Sequence, residues 1–71
     1  MTNNMPAAPI RLPFPQAEVV TYPWGHTVYG WTHILPGGTR LRLFISLHRF
    51  KWRAERAKWR WLADAMLDGV S

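Results

Sequence analysis

The chain has no cysteine, only four acidic residues and no long hydrophobic run. The absence of cysteine excludes disulfides and thiolate zinc sites, and it fits a reducing compartment. No segment approaches the roughly 18 apolar residues that a membrane span needs, and residues 1–16 lack the basic start and continuous apolar core of a signal peptide. We therefore expect a soluble, cytoplasmic protein without a membrane span.

Catalytic and metal-binding patterns are also missing. His26, His33 and His48 lack the close spacing of known zinc motifs. The four carboxylates are scattered, whereas acid-base catalysis needs two of them in one pocket. Ser46 fits a helix cap better than a nucleophile, and no glycine-rich phosphate loop occurs. The sequence predicts a protein that is not an enzyme and that binds no metal or cofactor.

Aromatic residues, in contrast, are abundant for a chain of this size. The 71 residues can form one domain only, and a chain of this length buries roughly 60% of its unfolded surface. Aromatic residues make up 14% of the sequence and include five Trp. Because so small a core cannot enclose them all, we expect some rings at the surface or in an interface, a homodimer being one possibility.

Positive charge is concentrated in one segment. Eight of the nine Lys and Arg residues lie within residues 40–60, where Glu55 is the only acidic residue, so this segment has a formal charge of +7. The rest of the chain is slightly acidic. A field of this sign attracts nucleic acids and acidic protein surfaces alike.

Turn and strand signals predict an α+β fold: a small three-stranded antiparallel sheet (β-β-β-α) with one long C-terminal helix and an extended Pro-rich N-terminal arm. Prolines restrict the arm, residues 1–16, to extended backbone, and its apolar residues either pack over the domain or bind a partner. Residues 17–71 form the single domain. Pro-containing turns at 23–25 and 36–38 separate the strands. The predicted strands are residues 18–22, 26–35 and 39–45.

The helix boundaries follow from capping signals. Ser46 fits the N-cap position, and Ile45 and Phe50 have the spacing of a hydrophobic staple. Gly69 supplies a left-handed closing residue. These signals predict a helix over residues 47–68.

The predicted helix carries three lines of side chains. The preferred core face is Leu47, Phe50, Ala54, Ala57, Trp61 and Ala65. A second apolar stripe is Trp52, Trp59, Leu62 and Met66. A cationic line is Arg49, Arg53, Arg56 and Arg60, with Lys51 and Lys58 between the apolar stripes. One sheet cannot cover two apolar faces, so the second stripe must meet the arm, another copy or a target; the cationic line is either a solvated face or a binding face.

A three-stranded sheet followed by one helix, with basic and aromatic residues on the sheet, resembles in outline the small DNA-binding arm domains of phage integrases and the plant ethylene-response domains. The resemblance is architectural and covers residues 17–68. In those families the sheet lies in the major groove, which implies that Arg40 and Arg42 face the groove and bond guanine edges. Tyr29, Trp31 and His33 share a strand face, where they either stack on unpaired bases or pack in the core.

We expect a small, non-enzymatic, basic regulatory protein that binds DNA or the transcription machinery that handles it. The alternative is an inhibitor or adaptor of the kind that small phage-encoded proteins provide when they dock on a host protein such as RNA polymerase. Trp and Arg, which are enriched at binding hot spots, motivate this alternative. The candidate residues for nucleic acid or an acidic partner are Arg40, Arg42, Arg49, Lys51, Arg53, Arg56, Lys58 and Arg60. The candidate partner-binding aromatic residues are Tyr29, Trp31, Trp52 and Trp59.

Overall fold

The computed structural model describes residues 8–68, which form a three-stranded antiparallel sheet followed by one helix. The elements are β1 (Ile10–Tyr22), β2 (Gly25–Ile34), β3 (Leu43–His48) and α1 (Lys51–Asp68). The strands lie in the order β1-β2-β3, so β1 and β3 are both edge strands. The predicted fold class is confirmed. Residues 1–7 of the predicted arm and Gly69, the predicted closing residue of the helix, lie outside the described residues.

β1 extends through much of the Pro-rich segment. It begins at Ile10, eight residues before the predicted start. Ile10 and Arg11 pair with β2, and the register then shifts before pairing resumes at Gln16. Pro13 and Pro15 fall inside this irregular stretch, where their missing N–H groups do not interrupt the hydrogen-bond ladder. An edge strand with a register shift can therefore include prolines that would break an interior strand.

The connection from β2 to β3 contains the predicted turn. The Gly38 N–H donates to the Leu35 carbonyl at 3.0 Å, and Gly37 has a φ of 99°. Proline at the second position and a positive φ at the third define a type II turn, which favours glycine at that third position. β3 starts at Leu43, later than predicted. Between the turn and β3, a single bridge at Arg40 connects the chain to β2.

The predicted start of the helix is wrong. α1 begins at Lys51, because β3 continues through Ser46 to His48. The Ser46 hydroxyl is hydrogen-bonded to Nε2 of His48 at 2.7 Å, so it does not cap the helix.

The first helical hydrogen bonds end on Phe50. Its carbonyl accepts from the N–H groups of Arg53 and Ala54, each at 3.2 Å. Phe50 therefore occupies the cap position, and the predicted staple between it and Ile45 does not apply. Since the Phe50 side chain has no oxygen to accept a hydrogen bond, it does not cap the first turn of α1 as Ser, Thr, Asp or Asn would.

α1 packs across one face of the sheet and lies close to Gly30 in β2. A Cβ atom built on Gly30 would lie 2.6 Å from the ring of Trp61, so any larger residue would displace the helix or the ring. Val28 on β2 and Ala54 on α1 have no exposed surface. These residues mark a core that is small and lies between β2 and the middle of α1.

The predicted core face of the helix is correct from Ala54 onward. Four of its members are at least half-buried: Ala54, Ala57, Trp61 and Ala65. Leu47 and Phe50 are exposed, because they precede the helix and do not share its periodicity. Within residues 8–68, α1 is not apolar enough to cross a membrane, and no other helix is present.

Candidate nucleic-acid interface

The sheet face that does not contact α1 carries arginines and aromatic rings, and we call it the open face. Side chains alternate between the two faces of a strand. Because Gly30 lies against the helix, Tyr29 and Trp31 point to the open face. The register places Glu18 of β1 and Phe44 of β3 opposite Tyr29. The open face is formed by Glu18, Tyr22, Tyr29, Trp31, Arg40, Arg42 and Phe44.

Four of the predicted binding residues meet on the open face. The guanidinium carbon of Arg40 lies 4.7 Å from the ring centroid of Trp31, and that of Arg42 lies 4.4 Å from the centroid of Tyr29. Both distances are within the roughly 6 Å range of cation–π attraction. Trp31 retains only 7% exposure. In this arrangement the rings of Trp31 and Tyr29 position two guanidinium groups. The guanidinium groups in turn cover the ring faces.

Glu18 lies between these two arginines, and sequence reasoning missed it. Nη1 of Arg40 donates to Oε1 of Glu18 at 3.4 Å, and Nη1 of Arg42 donates to Oε2 at 3.3 Å. The arginine side chains are 55% and 43% exposed, respectively. Ion pairs this exposed contribute about 0–1 kcal/mol each. The available signal was that Glu18 is the only acidic residue before Glu55.

A pair of tyrosines lies beside the arginines. The hydroxyls of Tyr22 and Tyr29 are hydrogen-bonded at 3.1 Å. This bond, followed by desolvation, raises the pKa of Tyr29 above its ordinary value of 10.0, and the nearby Arg42 only partly offsets the rise. Trp24 stacks on Tyr22 with ring centroids 4.7 Å apart, and it is largely exposed, as is Phe44. Trp24 and Phe44 thus provide exposed aromatic surface beside the tyrosine pair.

A second set of predicted residues lines a groove between the end of β3 and α1, which we call the cationic groove. Its volume is about 320 Å³. The lining residues are His48, Trp52, Arg53, Arg56, Ala57 and Arg60. Among residues 8–68, none of its three arginines has a carboxylate within ion-pair distance. Arg53 lies over the ring of Trp52 at 5.1 Å. The groove thus presents cations beside an exposed indole and an imidazole.

The charges along α1 run against the helix dipole. The first turn contains Lys51 and Arg53 and no acidic residue, and the last turn contains no basic residue. A cation at the positive end of a helix is unfavourable by roughly 0.3–1 kcal/mol. Exposed Arg49 lies just before the same end. Side-chain cations and the positive end of the dipole therefore add, and their combined potential favours a bound anion.

Lys58 and Trp59 line a different groove, between α1 and the first half of β1. We call it the apolar groove, and its large apolar members are Phe14, Pro15, Trp59, Leu62 and Met66. Lys58 pairs with Glu55 at 3.2 Å and lies over the ring of Trp59 at 4.7 Å. The predicted second stripe is therefore divided. Trp52 lies in the cationic groove, whereas the other three members face the proline-rich half of β1.

The three histidines each contact a neighbouring hydroxyl. The ring nitrogens are hydrogen-bonded in the pairs His26 with Thr21, His33 with Thr32, and His48 with Ser46. In the described part of the chain, no three His, Asp or Glu side chains come together in a way that could hold a metal ion. His48, which sequence reasoning did not place in a site, lines the cationic groove.

Comparison of the chain with known protein families, with curated proteins and with solved structures finds no match.

Proposed function

We propose that the chain is a small, non-enzymatic, DNA-binding protein that regulates transcription in the cytoplasm. The observation that carries the proposal is the cationic groove, where three arginines lie together without carboxylate partners among the described residues. Guanidinium groups bind phosphate in a bidentate manner. Trp52 in the same groove supplies a ring that can contact a sugar or a base.

The placement of charge along α1 supports this function. Lys51 and Arg53 at the positive end of the helix reduce its stability in the free protein. A phosphate backbone would supply the missing negative charge, and it would also accept hydrogen bonds from N–H groups of the first turn, which the Phe50 side chain does not cap. The cations that destabilise the start of α1 in the free chain would thus stabilise the complex with DNA.

Fluorescence anisotropy with a labelled DNA duplex of mixed sequence tests the proposal. At low salt, Arg56→Ala should weaken binding by about tenfold, because one phosphate contact is lost. The matched control is Arg11→Ala, which removes the same charge from β1, outside the cationic groove. It should have a much smaller effect. A folded protein that shows no duplex binding at low salt would contradict the proposal.

A second candidate function is docking on a protein of the transcription machinery, such as RNA polymerase. It is favoured by the exposure of Trp59 (63%) and Met66 (49%) in the apolar groove, because Trp is enriched at binding hot spots. Binding to purified RNA polymerase that survives nuclease treatment and that weakens in Trp59→Ala would favour this candidate. Binding that disappears with nuclease would favour the DNA ligand.

A further inference from the structure

We propose that Arg40 and Arg42 form a second phosphate site on the open face, and that Glu18 occupies this site in the free protein as an internal competitor. The inference rests on the proposed function, since the ligand is the phosphodiester backbone of the same nucleic acid. It adds an autoinhibitory contact that lowers the affinity of the free chain.

The geometry is that of an anion held between two cations. Each arginine donates through one Nη1 to a different oxygen of Glu18. A phosphodiester has two non-bridging oxygens, and these can accept the same two hydrogen bonds. The Glu18 carboxylate therefore stands where a phosphate group would bind.

The arginine pair does not depend on Glu18 for its position. The Arg40 guanidinium lies over Trp31, and the Arg42 guanidinium lies over Tyr29. The Tyr29 ring is in turn fixed by its hydrogen bond to Tyr22. When Glu18 leaves, two guanidinium groups stay on their rings with no counter-charge between them, and this favours another anion.

The contacts that hold the Glu18 carboxylate between the two arginines are also weak. Its contacts of 3.3 and 3.4 Å are longer than the roughly 2.7–2.9 Å of strong charge-assisted hydrogen bonds. The arginines are about half exposed, so the solvent screens the attraction. A phosphate group of a bound polyanion can therefore displace the carboxylate.

Glu18→Gln tests the proposal, with Glu55→Gln as its matched control. Both changes remove one negative charge, and both residues are ion-paired in the free protein, but only Glu18 lies between two arginines. With the labelled DNA duplex at about 0.1 M salt, one added phosphate contact corresponds to about a five- to tenfold gain in affinity. We expect this gain for Glu18→Gln and less than a twofold gain for Glu55→Gln.

The gain must also depend on the arginine pair. In an Arg40→Gln/Arg42→Gln background, Glu18→Gln should give no more than the Glu55→Gln effect. Arg42→Gln alone serves if the double variant does not melt cooperatively by circular dichroism. Equal gains for the two glutamate changes, a gain that persists without the arginines, or weaker binding in Glu18→Gln would each overturn the inference. With Arg56→Ala still weakening binding, such a result leaves the proposed function intact, whereas no binding by any folded variant overturns both.

Discussion

Gly30 on β2 and Trp61 on α1 are in such close contact that a single added methyl group would lie 2.6 Å from the indole ring. This contact sets the distance between the helix and the sheet. Overpacking at such a point costs about 1–3 kcal/mol. Gly30→Ala should therefore lower the free energy of unfolding by that amount in a urea titration.

A double-mutant cycle provides the control for this prediction. In a Trp61→Leu background the ring is absent, so Gly30→Ala should cost clearly less than in the wild-type background. Equal costs in the two backgrounds would mean that Trp61 does not lie over Gly30.

Two tryptophans on the same helix should differ sharply in their contribution to stability. Trp61 lies against the sheet, whereas Trp59 is 63% exposed. Trp61→Ala should destabilise the fold by about 2 kcal/mol or more, and Trp59→Ala should change its stability by about 0.5 kcal/mol or less. Thermal melts of the two variants measure the difference. Equal destabilisation would show that α1 does not bury Trp61 in preference to Trp59.

The strand and helix order could be predicted because each signal was local. Pro36 and Gly37 form the turn that their conformational preferences favour, and the helical spacing of Ala54, Ala57 and Trp61 identified the buried side of α1. The helix start could not be predicted, because Ser46 satisfies the capping rule locally while sheet pairing keeps it in β3. Tertiary pairing with β2 decided between two locally acceptable structures.

The candidate site was predictable in its residues but not in its contacts. Arg40 and Arg42 are two residues apart in an extended segment, which predicted that both side chains lie on one side of the chain. The structure places both on the open face. The role of Glu18 depends on the register between β1 and β2, which fixes it opposite Tyr29. No local sequence pattern specifies that register, so the ion pairs of Glu18 with Arg40 and Arg42 could not be predicted.

The hydrogen bond between Tyr22 and Tyr29 should be visible in a pH titration. It is the largest cause of the raised pKa of Tyr29, so Tyr22→Phe should bring that pKa down toward 10. In the wild type, Tyr29 keeps its proton to a higher pH in the folded state than in the unfolded chain. Its contribution to stability is therefore complete below about pH 10 and is lost as the pH rises through the folded pKa.

The ¹³Cζ chemical shift of Tyr29 distinguishes this residue from Tyr22 during the titration. Tyr22→Phe should also make the alkaline loss of stability shallower. An unchanged pKa of Tyr29 in the variant would show that the two hydroxyls are not bonded in solution.

The proline-rich half of β1 should protect the apolar groove. Deleting residues 1–15 removes the pairing of Ile10 and Arg11 with β2 and removes Phe14 and Pro15 from the groove. The deletion should lower the melting temperature and increase acrylamide quenching of Trp fluorescence. Unchanged melting and quenching would mean that this segment is free to bind a partner.

The salt dependence of duplex binding tests most directly whether the arginines of the cationic groove bind phosphates. Each neutralised phosphate contributes about −0.9 to the slope of log affinity against log salt. Arg53→Ala/Arg56→Ala should therefore have a slope that is shallower than that of the wild type by about two, with the fold confirmed by circular dichroism. An unchanged slope would contradict phosphate binding by these two arginines, and the absence of duplex binding by the folded wild-type protein at low salt would contradict the DNA-binding function itself.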